Sequence, residues 1–168
     1  MLSGASLQTN NMTLAQTSVI ELTSVEQFFD NSTGELTEDL SGFTPTPDMM
    51  TAAQQVAHAA QIIDWFVEGA FRPEGFDLNF EQHMKDVMSA TSLATAREWF
   101  AKSLANAKTI LESKSDEELM TPMPEGPVLG GAPRIAIVSG ITDHTAHHRG
   151  ALTVYARLSG KVPPMPYM

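Results

Sequence analysis

The stretch RIAIVSGITDHTAHHRGALTVYARL, residues 134–158, decides how the rest of the chain is read. Within it Ile137, Ile141, His144, His148, Ala151 and Tyr155 recur at spacings of four and three, the period of one buried helix face. His144 and His148 therefore sit one turn apart, inside the stripe that should point into the core. Core positions favour Leu or Ile, because burying an imidazole costs free energy unless both ring nitrogens find partners. A divalent metal is one such partner, and an i,i+4 histidine pair binds it from one face of one helix. Zinc needs at least one more protein ligand, and the best candidate is His58, far upstream. On spacing alone the alternative stands: two core or interface histidines, and at position 58 a histidine that simply finds a hydrogen bond beside an apolar face.

Working outward from that helix, the sequence predicts three more long ones. Leu14, Val19, Leu22, Val25, Phe28 and Phe29 form a stripe from Thr13 to about Asn31, ended by Asn31-Ser32-Thr33-Gly34, with Gly34 able to take a left-handed backbone. The prolines of Thr44-Pro45-Thr46-Pro47 break the chain, and Thr46 or Asp48 can cap a second helix to about Phe71. Its face is Met50, Ala53, Val56, Ala57, Ala60, Ile63 and Val67, with His58 beside it in a row with Ile62 and Trp65. Phe76 to Ser89 reads as a short irregular or helical piece carrying His83, an incidental histidine. A third long helix runs from about Ser92 to Ser113. Ser115 to Pro133, with four prolines, is a long connection: a cover for the histidines, or a crossover along the bundle. The last helix ends near Ser159-Gly160, before Pro163-Pro164-Met165-Pro166. No strand-like alternation stands out, so the fold class is all-α, a four-helix bundle with long crossover connections. Residues 1–12 read as a flexible N-terminus, with Met12 a second possible start, and 13–168 as one helical domain.

Composition narrows the partners. The net charge is −10 and no basic run occurs, which argues against nucleic acid and anionic membrane, since phosphate contacts need clustered Lys and Arg. No apolar run approaches the ~20 residues of a spanning helix. The N-terminus lacks the basic start and apolar run of a secretory signal, so a cytoplasmic location is expected. With no cysteine, the protein has no disulfide and no thiol nucleophile of its own.

The run His144-x-x-x-His148-Arg149-Gly150, the aliphatic helix end Leu152, Val154, Tyr155 and Leu158, and the Gly-x-x-x-Pro that follows resemble the end of DinB-like proteins. Val56-Ala57-His58, after a proline-containing loop, looks like the family's second helix. The resemblance extends from about Thr13 to Pro166 in helix order and loop placement. It implies a bundle of unusual long-crossover topology and a three-histidine site for zinc, nickel or iron, with His58, His144 and His148 as ligands. A homodimer is implied as well. Family members of known activity include enzymes that join low-molecular-weight thiols to other compounds or use such a thiol as a cofactor, and many others have no assigned reaction. One departure is Ala151, where many members carry Gln.

Three neutral imidazoles leave a tetrahedral metal one open position, the arrangement of catalytic sites. There a bound water reaches a pKa of roughly 7, and a bound thiol is deprotonated. The expected function is thus a metal-dependent enzyme transferring a low-molecular-weight thiol or using one as cofactor, on a small-molecule substrate. A metal-dependent hydrolase ranks behind it. The alternative is a non-catalytic helical stress-response or binding module with a structural or adventitious metal. Asp143, Asp64 and Glu98 are candidate carboxylates behind the ligands, and no residue is assigned as catalytic. Arg149 reads as solvated, salt-bridged or holding a neighbouring carboxylate. His147 reads as a surface or subunit-contact residue. Trp65, Trp99 and Phe100 read as core or dimer contacts.

Overall fold

Thr13 opens the first helix. Its hydroxyl accepts from the Gln16 backbone N–H while the Gln16 side chain accepts from the Thr13 N–H, so two donors at a helix start are satisfied reciprocally. The computed structural model describes residues 11–167, so the flexible N-terminus expected over 1–12 lies, up to residue 10, outside the described residues. Helix α1 spans Leu14–Thr33. Its end departs from expectation: Gly34 is right-handed at φ −59. The terminal carbonyls are instead taken by Arg97, whose guanidinium donates to Thr33 Oγ1 at 2.9 Å, the Thr33 carbonyl at 2.6 Å and the Leu36 carbonyl at 3.4 Å.

The same reciprocal cap, Thr51 with Gln54, starts α2 (Ala52–Phe71). This is later than Thr46 or Asp48. The Ala52 and Ala53 N–H groups are occupied by the Phe43 and Ser41 carbonyls, which folds the proline segment back before the helix can begin. Asn79 caps the short α3 (Phe80–Met88) and Ser92 caps α4 (Leu93–Glu112). A further helix, α5 (Asp116–Met120), lies in what the sequence reads as plain connection, and its Ser115–Glu118 box is the signal that was there to find. Helix α6 spans Ala136–Leu158 and enters through a tight turn, Ala136 and Ile137 donating to the Pro133 and Arg134 carbonyls.

The four long helices form the bundle. Helices α1 and α2 each pack on both α4 and α6. Consecutive α1 and α2 therefore face each other across the diagonal, as do α4 and α6. Directions follow from the ends. Lys114, just past α4, lies over the ring of Phe71 at the end of α2, so these two run parallel. The Leu14 N–H is bonded to Asp116 beyond the end of α4, so α1 opposes α4. Glu21 meets Thr142, and Phe28 meets Arg149 seven residues further along each helix, so α1 and α6 are parallel. Parallel neighbours α2 and α4 require a return over the length of the bundle. Helix α3 makes it, held to α2 by Trp65 at its start and Gln54 at its end.

This arrangement settles what the 113–135 connection does. It crosses the end of the bundle where Arg134 lies over Phe71, and is closed on itself by Met123–Ala132 and Thr121–Arg134 hydrogen bonds. Phe71 is thirteen residues from His58 along α2, about 20 Å. The loop is a crossover and does not cover the histidines.

The core follows the predicted stripes. Leu22, Phe29, Phe100, Leu104, Ile137, Ile141 and Tyr155 are buried, with Phe29 stacked on Phe100 at 4.2 Å. Each such side chain contributes roughly 1.5–3 kcal/mol. On α2 the buried face is mostly small, with Ala53, Ala57 and Ala60 beside Val56 and Ile63, which lets α4 and α6 approach closely. Among the described residues no helix is long and apolar enough to cross a membrane.

Candidate metal centre

Helices α2 and α6 run antiparallel. Gln55, near the start of α2, meets Tyr155 near the end of α6, and Phe66 packs on Gly140 at the other end of the contact. Between these two layers His58 projects from α2 toward His144 and His148 of α6. One ring nitrogen from each lies within 4.8 Å of the other two. Ring centroids are 5.1 Å apart for His58–His144, 4.9 Å for His58–His148 and 4.6 Å for His144–His148. Histidines 86 residues apart in sequence (58 and 144) are thus brought together by the antiparallel register alone.

The other two histidines stay outside this group. His147 is exposed, its ring 5.0 Å from His148 and 6.4 Å from His144. His83 sits on α3 with its Nε2 3.8 Å from the Asp77 carboxylate.

Burial sets the protonation state. His148 is only 5% exposed, while His58 and His144 are half-buried at the mouth of the group. Loss of hydration disfavours the imidazolium, and neighbouring histidines disfavour it further. The His148 pKa is pushed down to about 3 by burial, then by His144, His58 and His147. That of His144 falls to about 4, by burial and then by His58 and His147, with Asp143 opposing. His58 is lowered by burial and by His147. At pH 7 all three are neutral and offer lone pairs.

The donor set fits a divalent cation. Three neutral imidazoles suit zinc, nickel or ferrous iron. The Nδ1 atom of His58 is buried and has no hydrogen-bond partner, a cost that a structural histidine would ordinarily avoid.

Behind the ligands stands an amide rather than a carboxylate. Gln55 Oε1 faces His148 Nδ1, and the Gln55 amide nitrogen lies 3.3 Å from the Tyr155 hydroxyl. Tyr155 in turn donates to the Met50 carbonyl at 2.8 Å. None of the carboxylates expected in this role fills it: Asp143 and Glu98 are exposed, and Asp64 accepts the indole N–H of Trp99 at 2.8 Å. Sequence reasoning missed Gln55, although it lies three residues before His58 on the same side of α2, where a polar residue beside an apolar stripe asks for a partner. Arg149 holds no carboxylate among the described residues; its guanidinium lies over the Phe28 ring at 5.7 Å, on the side of α6 that faces α1.

The family model of the DinB superfamily matches residues 21–152. The chain belongs to the DinB superfamily. The matched span runs from α1 to within two turns of the end of α6 and contains all three grouped histidines. No curated protein matches the chain. The long-crossover bundle is therefore that of a DinB-like protein, and its clustered histidines form a possible metal site. In this DinB-like chain the site's buried amide comes from α2, at Gln55, while Ala151 of α6 has no side chain able to bond a ligand.

Proposed function

We propose that this DinB-like protein is a metal-dependent enzyme that transfers a low-molecular-weight thiol, or uses one as cofactor, at the His58–His144–His148 site. The observation that carries the reading is the convergence of three neutral imidazoles within 4.8 Å, two of them half-buried, with no fourth His, Cys, Asp or Glu joining the group among the described residues. Bound there, a divalent cation supplies Lewis acidity that lowers the pKa of a thiol or water reaching its open position. The chain's own residues do the rest. Burial keeps the imidazoles unprotonated, Gln55 orients His148, and the half-buried faces of His58 and His144 leave the approach open. Because there is no cysteine, the sulfur nucleophile arrives with the substrate. The proposed partner is thus a small molecule. A homodimer is part of the proposal, supported by Val154 and Leu158, one turn apart and both more than half exposed on α6.

The test takes tag-free protein, reconstituted with zinc, nickel or ferrous iron. Metal content should be close to one per chain and fall below a tenth of that in His144→Ala. A panel of common cellular thiols with electrophilic acceptors should then show metal-dependent conjugation. Hydrolysis of esters or amides without thiol dependence would replace transfer by the hydrolase reading. Stoichiometric metal with no turnover in either screen would favour a non-catalytic binding module.

A further inference from the structure

The hydrogen bonds behind His148 have a direction, fixed by a group that cannot be reversed. The Met50 carbonyl only accepts, and the single hydroxyl proton of Tyr155 is directed to it at 2.8 Å. With that proton committed, the Tyr155 oxygen can only accept from Gln55, 3.3 Å away, so the amide turns its NH2 toward the phenol. Its Oε1 is left facing His148 Nδ1, and a carbonyl oxygen only accepts. His148 Nδ1 therefore carries the ring proton and Nε2 a lone pair. That Nε2 lies 3.0 Å from His144 Nε2. Two lone pairs at this distance would repel, so His144 Nε2 is the protonated one and donates. Gln55 is 8% exposed and Tyr155 is fully buried, so water does not scramble the chain of bonds.

Resting on the metal reading above, we infer that the two α6 histidines wait in opposite tautomers, His148 preset as Nδ1–H by the Tyr155–Gln55 relay and His144 as Nε2–H, and that cation binding resets His144 alone. On loading, one proton leaves His144 Nε2 and one is taken up at its Nδ1 from solvent, so the histidines release no net proton. Gln55 and Tyr155 are positioning residues: they hold one ligand ready and leave the exchange to the half-buried one. An amide also adds no negative charge behind the metal, which keeps the cation a stronger acid than a carboxylate in the same place would.

The tautomers can be read directly. In metal-free protein labelled with 15N-histidine at pH 7, two-bond 1H–15N correlations should show His148 protonated at Nδ1 and His144 at Nε2. Zinc should convert His144 to Nδ1–H and leave His148 unchanged. Titration by calorimetry at pH 6, below the pKa of roughly 7 of a metal-bound water, in buffers of different ionisation enthalpy should show proton release far below one per zinc. Tyr155→Phe, which frees the amide to flip, should give mixed tautomers at His148 and zinc binding weaker by about tenfold. Gln55→Glu, still an acceptor, should keep Nδ1–H. His148 found as Nε2–H in the metal-free protein, or Tyr155→Phe without effect on tautomer and affinity, would overturn the inference. Failure of zinc to bind at all would sink the metal reading instead, and the metal-free spectrum alone would then decide the relay.

Discussion

His148 Nε2 lies 3.0 Å from His144 Nε2, one helical turn away, with His148 buried and His144 half-buried in the α2–α6 contact. Burial first, and the neighbouring histidines after it, make protonation of either ring costly, and the cost appears as pH-dependent stability. An unfolded histidine titrates near 6.5, whereas in the fold His144 waits until about 4 and His148 until about 3. Between those values the unfolded chain binds more protons, so stability is complete above about pH 6.5 and lost as pH falls. The unfolding free energy of metal-free protein, from urea titrations, should drop from pH 7 to pH 4.5 with a slope of up to about 1.4 kcal/mol per unit for each ring. In a His144→Ala, His148→Ala variant the slope should flatten; an unchanged slope would assign the loss to other groups.

His58 is a cost to the metal-free fold, because its buried Nδ1 finds no partner. His58→Leu removes that orphan. It should raise metal-free stability by about 1 kcal/mol while abolishing any rise in melting temperature on zinc addition. Thermal melts with and without zinc read both effects, and destabilisation of the metal-free protein would show that the ring is satisfied in solution.

Arg97 closes the end of α1 through the Thr33 and Leu36 carbonyls. Lysine keeps the charge but cannot present the two-pronged donor, so Arg97→Lys should cost on the order of 1–3 kcal/mol in chemical denaturation. Helix content should be retained. A loss within error of zero would mean water serves those carbonyls equally well.

Gly140 lies one turn before His144, and a Cβ built there would meet the Phe66 ring at 2.6 Å. Gly140→Ala should therefore force α2 and α6 to adjust, at roughly 1–3 kcal/mol of overpacking, partly offset by the better helix propensity of alanine at about 1 kcal/mol. The decisive quantity is the coupling. In a Phe66→Leu background the same substitution should cost less; additive effects would show that the two residues do not share this space.

Most of the bundle was legible in the sequence because apolar residues recur at helical spacing along each long helix. Ile137, Ile141, His148 and Tyr155 are buried as the stripe on residues 134–158 requires. Thr13 and Ser92 cap helices where the sequence begins them. Periodicity says nothing, however, about which long segments become neighbours. The diagonal placement of α1 and α2 was visible only as loop length, and the family resemblance supplied the topology. Thr51 was missed because its box follows a proline segment whose backbone folds over the helix start. Gln55 was missed for a different reason: an uncharged amide on an otherwise small-residue face reads as solvent-exposed unless the partner, Tyr155, is already known to lie opposite. The three histidines were nameable, but their meeting depends on the antiparallel register of two helices, and no single helix contains that information.

The parallel pairing of α1 with α6 also bears on how the chain is made. Of the described helices α1 is translated first, yet one of the two long helices it packs on, α6, ends more than a hundred residues later, on the order of ten seconds at ordinary elongation rates. Until then Val25 and Phe28, which line one groove with Thr142, Thr145 and Ala146, have no α6 to rest on. A nascent-chain crosslink or a protease nick in α1 should therefore persist until residue 158 has cleared the ribosome, marking the final helix as the step that locks the first one home.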